Sequence, residues 1–113
     1  MMEKDNTPKS IEILGEKYKI KYGDRKTDAK LIGANAYVEL YSKEIVLDRL
    51  DEEPNTIKNM DWYRRKVIRH EIIHAFLHES GMREWAENEV LVDFIALQYP
   101  KLFEIFSKLE IEK

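Results

Sequence analysis

The 113-residue sequence contains no cysteine. Disulfides and thiolate metal sites are therefore excluded, and any metal ion must be held by histidine and carboxylate side chains. Long hydrophobic runs are missing too: none approaches the ~18 residues needed to span a bilayer, so no membrane partner is expected. The opening Met1-Met2-Glu3-Lys4-Asp5-Asn6 is polar and lacks the apolar core of a secretory signal, which makes the cytoplasm the expected compartment. Charge of one sign is not concentrated anywhere. The net charge is −3 with lysines and acids interspersed, so nothing argues for a nucleic-acid surface. No internal repeat or low-complexity segment is present.

What is there fits a soluble globular chain, with 43% apolar and 36% charged residues. The length suits one domain, expected over residues 10–113 after a loose tail at 1–9. A core this small gains usefully from a bound metal.

Strand signals come first. Ile11 to Leu14 reads as a strand and Gly15-Glu16 as a turn. Lys17-Tyr18-Lys19-Ile20-Lys21-Tyr22 then alternates lysine with β-formers, the pattern of a strand with one wet face. Asn35 to Tyr41 and Glu44 to Asp48, joined at Ser42-Lys43, predict a hairpin. An acidic loop from Asp48 to Asn55 follows. A long helix is expected from Thr56 or Ile57 to Ser80, closed by Gly81. Its apolar residues, among them Trp62, Ile68, Ile72 and Phe76, cover more than half the circumference, so it should be enclosed on most sides. A second helix is expected from about Glu84 to Tyr99, where Pro100 breaks or kinks it, with a short terminal helix over 101–109. Strands followed by helices predict an α+β domain. Its three- or four-stranded, mainly antiparallel sheet would pack on the first helix and on a second, glutamate-bearing one.

The first helix carries His70-Glu71-Ile72-Ile73-His74, an HExxH pattern. Four residues turn a helix by roughly 400°, which puts both imidazoles on one face about 6 Å apart along the axis, where two nitrogens can close on one ion. Glu71 falls about 100° round from His70, away from the ligand position but able to touch a water on the metal. The bare motif specifies only three residues. The following Asn88-Glu89-Val90-Leu91-Val92-Asp93 strengthens it, because a catalytic metal wants a third protein ligand and an open position. Glu89 on an adjacent antiparallel helix can complete the set. Asp93, four residues on, can accept a hydrogen bond from a ligating histidine. Glu87 is the rival third ligand, about 160° round from Glu89, and the Asp93 partner favours Glu89. His78 lies one turn past His74, but three histidines on one straight helix do not converge easily, since the outer two are roughly 12 Å apart. Trp62, Trp85, Phe76 and Phe94 read as core, the lysines of 17–21 as a wet strand face, and Arg64-Arg65-Lys66 as a solvated patch.

His70-Glu71-x-x-His74 followed by Asn88-Glu89-x-x-x-Asp93 resembles the gluzincin metallopeptidases. The short spacing between the motifs is similar to the minigluzincin and ImmA/IrrE-like domains of phages and mobile elements. The resemblance covers residues 35–100 loosely and 67–93 specifically. It implies a zincin-like fold and a zinc-dependent endopeptidase acting on a protein or peptide substrate. It also implies Zn²⁺ on His70, His74 and Glu89, Glu71 as general base, and Asp93 orienting a ligand. His78, Tyr99, Tyr41 and Tyr37 are the candidates for contacts to substrate or oxyanion. A different reading is a zinc-binding protein of this fold that regulates a repressor through contacts, with little or no proteolysis. The weakest is a helical interaction module with no metal.

Overall fold

The run Ile45-Val46-Leu47-Asp48 is buried at every position, which only a strand covered on both faces can achieve. A computed structural model describes residues 9–49 and 60–113. In it this strand, β4 (Glu44–Asp48), is central in a sheet with β1 (Ser10–Ile13), β2 (Glu16–Gly23) and β3 (Ala36–Glu39), in the order β1-β2-β4-β3. The expected start of the first helix at Thr56 or Ile57, most of the acidic loop and most of the N-terminal tail lie outside the described residues.

β1 pairs antiparallel with β2, and β3 with β4, whereas β2 and β4 are parallel. The sheet is therefore mixed, not purely antiparallel. Its parallel centre follows from inserting the most apolar strand between β2 and β3. The lysines of β2 are exposed and Tyr18 and Ile20 are buried, as alternation predicts. The hairpin between β1 and β2 turns at Leu14-Gly15, both at positive φ, a conformation glycine adopts freely and leucine does not. On the far side of β4, Val46 and Leu31 of the β2–β3 connection both lie against Gly23. A methyl group on Gly23 would come within 2.8 Å of that leucine, so the crossing needs glycine there.

On the other face, Ile13, Tyr18, Ile20, Ile45 and Leu47 form the core with Ala75 of α1 (Met60–Glu79), and Val67, Ile68 and Ile72 pack against it. Gly81, at φ 88°, closes α1: the Met82 N–H bonds the Leu77 carbonyl, the αL helix ending expected there. α1 is less enclosed than its composition predicts, because Trp62 and Phe76 remain 45% and 48% exposed. Its apolar arc is wider than the sheet and one neighbouring helix can cover.

The expected single helix from Glu84 to Tyr99 is instead two. A one-turn α2 (Arg83–Ala86) is followed by α3 (Glu89–Lys108). Asn88 makes the division, since its side chain accepts the Leu91 N–H at 3.0 Å and caps α3. Nor does Pro100 end the helix; α3 runs through it, and no separate terminal helix forms. Proline lacks the N–H that would bond the Ala96 carbonyl four residues back. Arg69 of α1 supplies the donor, Nε to Ala96 O at 2.8 Å, so that carbonyl is satisfied from outside the helix. Arg69→Met should therefore cost about 1–3 kcal/mol in urea unfolding. Adding Pro100→Ala, which restores the helical donor, should recover most of the loss. A double variant no better than the single would contradict this pairing.

Candidate metal centre

Neutral imidazole has one N–H and one lone pair, and the partner of one nitrogen decides which it is. His74 Nδ1 lies 2.5 Å from the Ala86 carbonyl, and His70 Nδ1 lies 3.2 Å from Asp93 Oδ1. Both partners accept only, so both Nδ1 atoms donate and both Nε2 atoms keep their lone pairs. In a continuous helix the Ala86 carbonyl would accept from residue 90; the break at Glu87-Asn88 frees it for His74.

The two Nε2 atoms are 3.2 Å apart. Glu89 Oε2 is 3.1 Å from His70 Nε2, and Glu89 Oε1 is 2.8 Å from His74 Nε2. Glu89 reaches them because the Asn88 cap fixes it as the first residue of α3. With both rings neutral, three electron-pair donors thus converge with no hydrogen between them. That is the arrangement a cation resolves. Ligands at 2.0–2.1 Å around a tetrahedral ion stand about 3.3 Å from one another, close to the spacings found. His70, His74 and Glu89 are a group able to hold a metal ion. The histidines are mostly buried and Glu89 is 68% exposed, so the group opens on one side.

Lys66 donates to Asp93 Oδ1, the same oxygen that His70 Nδ1 faces. This contact first, and His70 second, hold the Asp93 carboxyl below its ordinary pKa, so it stays ionised and acceptor-only. Lys66 is accordingly not part of a solvated patch. It precedes His70 by four residues and faces the same way, so both reach Asp93.

The group lies in a cleft of about 650 Å³. One wall is β3 with its flanks, including Ala36, Tyr37, Val38 and Leu40; the floor is α1, with Tyr63, Lys66 and Glu71; α2 and α3 close it. Among the described residues β3 is an edge strand, so this wall presents a strand edge. Tyr63, unnoticed in the sequence, lies on the floor two turns before His70 and accepts a hydrogen bond from Asn35. Arg25 links Asn35 to Asp48 of β4, at 2.9 and 2.5 Å, and so steadies the asparagine that ties the start of β3 to α1 through Tyr63. Of the oxyanion candidates only Tyr37 lines the cleft, and its hydroxyl donates to Asp28. His78, Tyr99 and Tyr41 are not among the lining residues. His78 is carried one turn beyond His74, while Tyr99 sits about 15 Å along α3 from Glu89 and stacks near Phe103. Glu87 lines the cleft but joins no ligand group among the described residues.

Glu71 is 7% exposed in the same cleft. Burial, with the Glu89 charge added, pushes its carboxyl up to about 7 from 4.5. For the metal-stripped protein the sign is definite. The folded chain holds the proton where the unfolded chain has released it, so this contribution is full below pH 4.5 and gone once pH has risen through 7. It amounts to about 3 kcal/mol. Stripped wild type should lose roughly that much more stability than stripped Glu71→Gln between pH 5 and pH 8, by urea titration. Equal losses would remove Glu71 as the buried acid.

No helix among the described residues is long and apolar enough to cross a membrane. Comparison with protein-family models, curated proteins and solved structures returns no match, so the case for the site rests on this chain's own geometry.

Proposed function

We propose that the chain is a zinc-dependent peptide hydrolase of the gluzincin type, with His70, His74 and Glu89 holding Zn²⁺ and Glu71 as general base. The observation that carries this reading is the convergence of two histidine lone pairs and a carboxylate at one end of a cleft that also contains a nearly buried glutamate. The donor set suits zinc, which takes nitrogen and carboxylate ligands and needs no thiolate. Zinc bound there would supply an electrophile that acidifies water and polarises a carbonyl.

The protein's own groups divide the remaining work. Glu71, with affinity for a proton near neutrality, takes one from the attacking water and returns it to the leaving amine nitrogen, whose bond to the carbonyl carbon breaks. Asp93 and the Ala86 carbonyl hold the two rings with Nε2 inward, so no reorganisation is needed when the ion binds. Lys66 keeps Asp93 charged. The edge of β3 offers backbone to an extended peptide, and the small side chains of Ala34 and Ala36 leave room for it. A protein or peptide substrate fits this wall better than a compact metabolite does.

The test is hydrolysis of an unfolded protein such as reduced casein by metal-stripped chain with and without one equivalent of Zn²⁺. Cleavage only when zinc is restored supports the reading. If fully loaded protein leaves casein and a library of random peptides intact, the site binds metal for another purpose, such as partner recognition.

A further inference from the structure

α3 outlasts the helix it packs on. Along its first half, Val92 and Ala96 are fully buried. Beyond Pro100 every apolar side chain is open: Leu102, Phe103, Ile105 and Phe106 are 40–55% exposed, and Leu109 is 67% exposed. Their order is regular. Val92, Ile95, Tyr99, Leu102, Phe106 and Leu109 follow one another at intervals of 3, 4, 3, 4 and 3, the seam of a helix built to pair with another. α1 covers the first two positions, and the last four are uncovered among the described residues.

At about 100° per residue, Lys101, Glu104 and Lys108 fall together on the side opposite this seam, where Lys108 and Glu104 form an ion pair at 3.3 Å. The charges are therefore already committed to solvent, and the seam itself carries none. A helix that lies on an anionic membrane needs a lysine- or arginine-rich polar face. Residues 101–113 hold three lysines and three glutamates, so that attraction is missing and a protein partner is favoured.

The partner that fits is another copy of the same seam. Large apolar side chains offer roughly 150–250 Å² each, so the half-exposed set contributes on the order of 500–700 Å² per copy. Two copies face to face would remove roughly 1,000–1,400 Å² from water, which reaches the size of a specific interface. The seam is self-complementary under a two-fold axis: an antiparallel pair centred at position 104 sets Leu102 against Phe106 and Tyr99 against Leu109 of the other copy. Glu89 and Asp93 lie on a different side of α3, so pairing leaves the cleft open.

We infer that the C-terminal half of α3 is a self-association surface through which two copies pair antiparallel along Tyr99, Leu102, Phe106 and Leu109. Sedimentation velocity of the full chain should give a species of about twice 13.5 kDa at tens of micromolar. Leu102→Glu with Phe106→Glu should return it to a monomer, weakening association at least 100-fold, while Val90→Glu on another face should leave the dimer. Because the chain has no cysteine, Leu102→Cys chain mixed with Phe106→Cys chain gives a second measure that needs no destabilising charge. Under mild oxidation the mixture should cross-link to a dimer, and Val90→Cys should not. A monomeric wild type, including one that instead floats with neutral or anionic vesicles, would overturn the inference, as would equally efficient cross-linking of Val90→Cys.

Discussion

Glu71→Gln is expected to lower peptide hydrolysis by about 10²–10⁴-fold while the protein still takes up one equivalent of zinc. The substitution preserves shape and removes the proton acceptor. Glu71 is 7% exposed, so its carboxyl is not free to be replaced functionally by solvent, and its raised pKa matches a base that must both take and return a proton near neutrality. Fold integrity is not at risk, since a neutral amide in that position avoids the cost of burying a charge. Turnover at the wild-type rate would remove Glu71 from the chemistry. Loss of metal together with loss of turnover would mean instead that the residue supports the ligands.

The second large effect concerns Glu89. Its side chain is 68% exposed and makes no core contact, so Glu89→Ala should melt close to the wild type in the metal-free state. It should nevertheless bind zinc far more weakly, by more than the 10–100-fold that losing a supporting partner such as Asp93 costs. Asp93→Asn provides that smaller reference. An amide can still accept from His70, but it surrenders the charge that Lys66 now balances. The order of affinities, wild type above Asp93→Asn above Glu89→Ala, is the expected result in competition with a chromophoric chelator. Glu87→Gln should fall with the wild type; if it and not Glu89→Ala lost the metal, the third ligand would be misassigned.

How much of this could be seen in advance depended on whether the signal was local. The HExxH spacing and the Asn88-Glu89-x-x-x-Asp93 segment are helical periodicities, and the convergence of His70, His74 and Glu89 follows from them once two helices lie antiparallel. The lysine alternation of β2 likewise survives, because one face of that strand has no choice but water. Sheet order was not legible in the same way. The parallel pairing of β2 with β4 depends on which strand is apolar on both faces, and Ile45-Val46-Leu47 could have been recognised as such.

The helix boundaries failed for opposite reasons. Asn88 belongs to a metal-site motif, but a residue of its type before an apolar run is also a cap, and its capping splits the helix. Pro100 predicts a break or kink because the donor that satisfies the Ala96 carbonyl, Arg69, lies 27 residues from Ala96 in sequence. Lys66 departs from the expected solvated patch because, although clustered cations usually face solvent, tertiary packing brings Asp93 to it. The exposure of Trp85 and Phe94, 47% and 60%, also runs against their expected place in the core, since apolar composition alone does not tell whether a side chain is enclosed.

The central claim is that one metal ion sits between His70, His74 and Glu89. A crystal of zinc-loaded protein, with diffraction recorded on both sides of the zinc absorption edge, tests it most directly. One anomalous peak within bonding distance of both Nε2 atoms and the Glu89 carboxylate is the predicted result. No peak after loading, or a peak held by other side chains, would contradict the account.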